Sequence, residues 1–403
     1  MAAPSPSPAA QMPRRTYTLI LFALGMGGFA IGTSEFAMMG LMPNLVRGFG
    51  ITEPQVGHLI SAYAIGVVIG APVLAILGAR LPRRQLLLAL MGFYALGNLA
   101  SALAPNYPTM LVARFVAGLP HGAYFGVAML VAASISRPGH RGTAVSRVLL
   151  GLSIAILVGN PLATWLGQQL SWRWAFGLVT AISLLTVVLV ARLLAPDPDE
   201  PRQTPMRELR AFNRSQVWLA LLIGSIGFAG MFCVFSYLAP TLTQVTGVAE
   251  SWIPVALAAF GCGAILGNLA GGWLVDRFAF RAVAIVLAWS LCVLLLFPLA
   301  AHAVWSILPA IVAVGTMGAL APVLQTRLMD VAGDAQTLAA ASNHAAFNVA
   351  NALGPWFGGM AISAGLGWTS TGYVGAATAA AGLLVYAWAR RDERRPREAP
   401  ASC

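Results

Sequence analysis

Apolar residues fall along this chain in runs of roughly 20, the length a helix needs to cross the hydrocarbon core of a bilayer. Short polar or Gly/Pro clusters separate the runs, and the pattern repeats almost from end to end. Twelve membrane helices are predicted: 17–38, 57–78, 85–104, 109–133, 145–168 and 174–195, then 215–237, 251–274, 282–300, 304–326, 337–361 and 370–389.

The one sizeable polar interruption runs from Pro196 to Ser215 and divides six helices from six. The expected fold is an all-α membrane protein with twelve transmembrane helices in two pseudo-symmetric six-helix bundles. A disordered cytoplasmic N-terminus covers 1–16, the N-terminal bundle 17–195, a cytoplasmic linker 196–214, the C-terminal bundle 215–390 and a cytoplasmic tail 391–403. Internal repeats support the division. The loop after helix two reads LGARLPRR, Leu77 to Arg84, and the loop after helix eight reads GGWLVDRFAFR, Gly271 to Arg281. Helices five and eleven each end in a Gly/Pro cluster, with Gly159, Pro161 and Gly167 in one and Gly354, Pro355, Gly358 and Gly359 in the other. Small residues admit close backbone approach and proline bends a helix, so these clusters predict a packing seam between the halves.

Composition fixes the environment. With 58% hydrophobic and 9% charged residues and a mean hydropathy of +0.77, the chain lacks the polar surface of a water-soluble globule. All 24 basic residues are arginine. With the N-terminus inside, only Arg47 and Arg173 fall in outward loops and Arg114 lies within a span, so the others sit at the cytoplasmic face. Both termini are then cytoplasmic. The formal charge of +11 reads as a topology signal facing anionic headgroups, with no nucleic-acid partner required. Lysine is absent, and with it the phosphate-binding lysine of a P-loop, so the chain does not itself consume ATP. No metal-ligand spacing and no nucleophile, base and orienting group recur, so neither a metal, a catalytic residue nor an enzyme is expected.

Glu35 is the only acid inside a long apolar run. An ionisable group in hydrocarbon is costly and marks function by default. Glu35 lies roughly 27 Å along helix one, and Arg114 roughly 8 Å into helix four from the outer side, so their depths match. An ion pair between them is the economical arrangement. Three readings stand: a permanent structural pair, a glutamate snorkelling to the interface, or a proton site on Glu35 whose environment switches. His121, roughly 18 Å into helix four, either relays a proton or bonds a neighbouring helix. His344, Asn348 and Asn351 share one helix face at i, i+4 and i+7, which must look away from lipid, toward substrate or toward other helices. Phe36, Tyr124 and Tyr237 lead the aromatic residues expected to line a cavity, because aromatic walls adapt to varied ligands.

The segments GTSEF (Gly32–Phe36), GAPVLAILGARLPRR (Gly70–Arg84), ARFVAGLPHGAYFGV (Ala113–Val127), GNP at the end of helix five and SWRWAF (Ser171–Phe176) carry a resemblance. Over about residues 17–390 the chain resembles the major facilitator superfamily, within it the twelve-helix drug:proton antiporter group and the bacterial arabinose-efflux-like and chloramphenicol-resistance permeases. In that family the loop after helix two usually reads G-x-x-x-D-R-x-G-R-R. Here Ala79 and Pro82 replace the Asp and Gly while Arg80, Arg83 and Arg84 remain, and the Asp version survives in the second half as Gly272, Asp276 and Arg277. The resemblance implies gating loops at these residues, unequal between the halves. Related exporters often place an acid in helix one and an arginine in helix four, roles that map onto Glu35 and Arg114.

The resemblance also implies a multi-pass protein of the bacterial cytoplasmic membrane, energised by a proton gradient without a cofactor. The expected activity is proton-coupled efflux of a small amphipathic or neutral solute, phenicol-like or sugar-like, by alternating access. The expected partners are that small-molecule substrate, protons and the lipid bilayer, and the expected working unit is a monomer. A facilitator or importer of a sugar, nucleoside or amino acid, and a non-transporting receptor or sensor, are the competing readings.

Overall fold

The structure is a computed structural model that describes residues 13–51, 53–196, 206, 209–249, 252–333 and 335–394. Among these residues there are twelve long helices. In the first half they are α1 (Arg14–Phe49), α2 (Glu53–Leu77), α3 (Arg83–Leu103), α4 (Tyr107–Ser134), α5 (Arg141–Gln169) and α6 (Trp172–Leu193). In the second half they are α7 (Ser215–Ser236), α8 (Ile253–Phe278), α9 (Arg281–Ala300), α10 (Val304–Val331), α11 (Gln336–Ala361) and α12 (Ser370–Arg394). Eleven are long and apolar enough to cross a membrane; α11 is the exception, because Asn343, His344, Asn348 and Asn351 interrupt its apolar sequence.

Several boundaries move for local reasons. α1 begins at Arg14, so the last residues of the segment expected to be disordered are helical; residues 1–12 lie outside the described part. It also continues past 38 to Phe49, ending where Gly50 takes φ +63° and returns its N–H to Val46 O, a left-handed cap that glycine adopts without strain. Asn106 opens α4 by accepting from Thr109 N at 3.1 Å, a capping box reinforced by Pro108 in the first turn. α5 widens over Ala155–Gly159, where Asn160 N–H reaches back to Ala155 O just before Pro161. Much of the expected linker 196–214 and residues 395–403 of the expected tail lie outside the described residues, while 391–394 extend α12.

Each half repeats one arrangement. α1 packs on α5 and α6, and α4 on α2 and α3; in the second half α7 packs on α11 and α12, and α10 on α8. The halves meet through α5 against α8 and through α11 against α2 and α4. Most exposed tryptophans sit near the ends of the helices, Trp165, Trp174, Trp305 and Trp356 at one side and Trp218, Trp273 and Trp388 at the other, while exposed Trp289 lies midway along α9. Such aromatic belts mark the two edges of a bilayer.

The two Gly/Pro clusters do not form the seam between halves. A Cβ on Gly159 would strike Thr33, and one on Gly167 would strike Leu41, both on α1. Gly354 faces Ala229 and Cys233 of α7, and Gly358 and Gly359 face Tyr237 just beyond it. The clusters therefore tighten α1/α5 and α7/α11 inside each bundle. The seam itself uses other glycines: Gly122 and Gly126 of α4 against Ala341 of α11, and Gly142 of α5 against Gly272 of α8.

Candidate functional site

Between the halves, at mid-helix depth, lies a cavity with about 820 Å³ of space including its mouth. α1 contributes Glu35 and Phe36, α4 His121, α7 Phe232 and Phe235, and α11 His344, Asn348 and Asn351. Its walls are mostly aromatic and aliphatic, with a few convergent polar groups, the composition of a small-molecule site. Among the described residues Glu35 is the only carboxylate lining it.

Arg114 is wholly buried, but its partner is Ser34. Nη1 donates to Ser34 Oγ at 2.8 Å and Nη2 to Ser34 O at 3.3 Å. The guanidinium carbon lies 4.4 Å from the Tyr63 ring centre and 5.5 Å from that of Phe176, so π faces supply much of its compensation. Ser34 Oγ in turn donates to Asn98 Oδ1 at 2.7 Å. Among the described residues the expected Glu35–Arg114 ion pair is not formed. Successive helical side chains diverge by about 100°, so Ser34 points into the first bundle toward Arg114 while Glu35 points into the cavity.

His121 joins a chain of hydroxyls. Its Nδ1 lies 3.0 Å from Tyr63 Oη, which is 3.2 Å from Tyr94 Oη. The same imidazole lies 5.3 Å, centre to centre, from that of His344 on the opposite half. Phe125 stacks on His344 at 4.3 Å and 10°, and His344 Nε2 is buried without a hydrogen-bond partner. Asn348 donates to His344 O at 2.9 Å and keeps its Oδ1 unpaired. The stripe on α11 therefore holds cavity-side polar atoms in reserve.

Two of the expected cavity residues lie elsewhere. Tyr124 is buried in the first bundle, its hydroxyl donating to Leu24 O at 2.9 Å beside Gly27. Tyr237 donates to Pro355 O at 2.8 Å and lies tilted against Trp368, closing the end of α7 on α11. Each tyrosine fills a slot left by a glycine, and that fixes its direction. Sequence reasoning missed Asn268 of α8, which donates to Ser153 Oγ of α5 across the interface at the cavity wall. It also missed Ser34, Asn98 and Tyr94; the available signal was a polar residue inside an apolar run.

The two loops behave unequally. Asp276 accepts from Gly142 N at 2.7 Å, Thr143 N at 2.9 Å and Thr143 Oγ1 at 2.5 Å. A carboxylate of the second half thus caps the helix that opens α5 in the first, where a negative charge also meets the helix dipole. Arg141 pairs with Asp330 at 3.0 Å beside it. Gly272 lets the backbones of α8 and α5 approach, and Arg277 is exposed. In the first half Ala79 offers no carboxylate. Arg84 instead caps its own bundle, donating to Leu194 O at 2.7 Å and Ala191 O at 2.6 Å, while Arg83 opens α3 and Arg80 is exposed. Apolar packing of Ala71 and Ala75 on Leu338 and Ala341 stands on that side of the seam. Among the described residues no group of three or more His, Cys, Asp or Glu is arranged to hold a metal ion.

A family model described as Major Facilitator Superfamily matches residues 24–281 and 228–402. The Inner membrane transport protein YdhP of Escherichia coli (strain K12) is 37% identical over 374 residues, covering 93% of this chain and 96% of that protein. The Chloramphenicol resistance protein of Streptomyces lividans is 33% identical over 380 residues, covering 91% and 93%. Among solved structures, FucP, described in the outward conformation, superposes with a TM-score of 0.73 at 17% identity, covering 93% of this chain and 99% of that one.

Proposed function

The chain belongs to the Major Facilitator Superfamily, and from that membership we propose that it is a proton-coupled exporter of a small neutral or amphipathic solute. As a transporter of that family it works by moving two bundles about a central site. The observation that carries the coupling is the lone carboxylate of Glu35 on the cavity wall, with the nearby cation Arg114 already bonded to Ser34. A carboxylate left without a fixed counter-ion at a site that alternates in exposure can take up and release a proton.

The orientation follows from charge. The arginine-rich end, with Arg80, Arg83, Arg84, Arg137, Arg141, Arg277 and Arg281, is assigned to the cytoplasm of a bacterial inner membrane. Asp276 and the packed glycines then close the cytoplasmic end. In this closed arrangement solute leaves outward and Glu35 is protonated from outside. Rocking of the bundles breaks the Asp276 latch, exposes the cavity inward, releases the proton and admits solute. Export is favoured over import by the relative named Chloramphenicol resistance protein. An aromatic cavity with one acid suits neutral amphiphiles better than strong cations.

The test is transport into inverted membrane vesicles, reading a panel of phenicol-like and sugar-like solutes with and without an imposed proton gradient. The expected result is gradient-driven uptake that Glu35→Gln abolishes while solute exchange at equal pH persists. Gradient-driven uptake that survives Glu35→Gln would remove Glu35 as the coupling group. Exchange indifferent to the gradient in the unaltered protein would make it a facilitator.

A further inference from the structure

At the arginine-rich end a second pocket opens between the start of α1, the α4–α5 connection and the start of α5. Arg14, Arg137 and Arg147 line it, with His140, Tyr17 and Thr143. Among the described residues none of these three arginines makes an ion pair with a carboxylate, and all three are exposed. Asp276, the acid beside Thr143, is engaged by Gly142 and Thr143 in the latch. The pocket thus concentrates three cations from three separate segments against one nearby carboxylate, Asp276, whose charge its neutral latch donors leave in place.

A lipid-facing groove runs on from it between α1 and α5. Thr18 and Arg147 belong to both the pocket and the groove, and beyond them the groove is apolar, walled by Leu21, Phe22, Met26, Leu150, Ile154 and Val158. Phe22, Ile154 and Val158 are exposed, and in a membrane helix such exposure means contact with acyl chains. A basic pocket between helices at the membrane edge recognises phosphate headgroups, and an apolar furrow joined to it accepts a chain.

The geometry points to a specific site for one anionic phospholipid, its headgroup phosphate held among Arg14, Arg137 and Arg147 and an acyl chain laid in the α1/α5 groove. The two features meet at shared residues, which is the layout of a lipid and not of a soluble anion. Because Thr143 lines the pocket and also bonds Asp276, an occupied site braces the α5 end of the latch. The inference does not depend on proton coupling.

The test is native mass spectrometry of the full purified chain offered equal amounts of phosphatidylglycerol and phosphatidylcholine with identical chains. Phosphatidylglycerol should be retained preferentially. At about 1 kcal/mol per arginine near the headgroups, roughly a fivefold loss of that preference is expected for Arg137→Gln, and about 25-fold for Arg137→Gln combined with Arg147→Gln. Arg192→Gln, an exposed arginine elsewhere on the same end, should change nothing. Gly25→Leu fills the groove where a Cβ meets only ordinary contacts, and should weaken lipid retention. If the double variant elutes as an aggregate, the Arg137→Gln variant, altered only in an exposed connection, carries the test. Equal retention of the two lipids, or a preference untouched by Arg137→Gln, overturns the proposal. So does displacement by excess inorganic phosphate with no effect of Gly25→Leu, which would mark a soluble-anion pocket.

Discussion

Asp276 and Thr143 sit on opposite halves of the molecule and are joined twice, by the Thr143 amide at 2.9 Å and its hydroxyl at 2.5 Å. Hydrogen bonds to a charged acceptor contribute about 1.5–3 kcal/mol each when well made, and these must break for the arginine-rich end to open. Asp276→Asn is expected to weaken closure by about 2 kcal/mol, shifting the bundles toward the state open at that end. Spin-label distances between the ends of α5 and α8 should lengthen in the variant. Unchanged distances would show that apolar packing alone holds the seam.

Ser34 and Glu35 are neighbours in sequence with separate duties, and substitution should divide them. Arg114→Ala removes a fully buried side chain, strands the Ser34–Asn98 pair and leaves a void between Tyr63 and Phe176, a change of the class that costs about 2–5 kcal/mol. Its thermal midpoint in detergent should fall clearly below that of the unaltered protein. Glu35→Gln should leave the midpoint nearly unchanged, because no hydrogen bond of Arg114 ends on Glu35. Equal destabilisation by both would mean that the two charges support each other after all.

The contrast between Ser34 and Glu35 also marks what the amino-acid sequence specifies legibly and what only packing reveals. Helix number and the two-bundle division follow from run length and from one polar break, and both appear in the structure. Depth along a helix was equally legible, which brought Glu35 and Arg114 to one level. Azimuth was not: one residue turns a side chain by about 100°, and that decides whether Arg114 meets Ser34 or Glu35. The same blindness sent Tyr124 and Tyr237 to the cavity when Gly27 and Gly358–Gly359 had prepared slots for them elsewhere. It also assigned Gly159 and Gly354 to the wrong seam. The α11 stripe fared better, because three polar residues on one face cannot look at lipid, and His344, Asn348 and Asn351 all reach the cavity.

The turn from α8 to α9 holds a small reserve of strain. Ala279 has φ +47°, the only non-glycine residue with positive φ among those described, and it stands where the loop pattern of the superfamily has glycine. A non-glycine residue in a sparsely populated region costs about 1–3 kcal/mol. Ala279→Gly is therefore expected to raise the thermal midpoint, with the gain reduced by about 0.5–1 kcal/mol because glycine also frees the unfolded chain. A lowered midpoint would place the local strain below that entropic term.

Of the seam glycines Gly122, Gly126, Gly142 and Gly272, Gly126 has the nearest backbone atom across the seam. A Cβ there would lie 2.6 Å from Ala341 N, 2.8 Å from its Cα and 3.0 Å from its Cβ. These are backbone atoms and the first atom of a side chain, so rotation cannot relieve the clash, and α4 and α11 would have to separate. The three nearest atoms all belong to Ala341 of the opposite half, so the clash falls on the seam. Gly126→Ala is therefore expected to disfavour the closed arrangement while leaving helix content intact. Overpacking of a tight contact costs about 1–3 kcal/mol, enough to shift a two-state balance by roughly five- to 150-fold. A single cysteine placed at His344, a cavity residue beside this seam, should become more reactive to a membrane-impermeant thiol reagent applied from the arginine-rich end. The comparison is with the same cysteine in a Gly126 background, with the native cysteines replaced in both. If labelling from that end is unchanged, the bundles accommodate the methyl by sliding, and the close approach of α4 to α11 is not what keeps the end closed.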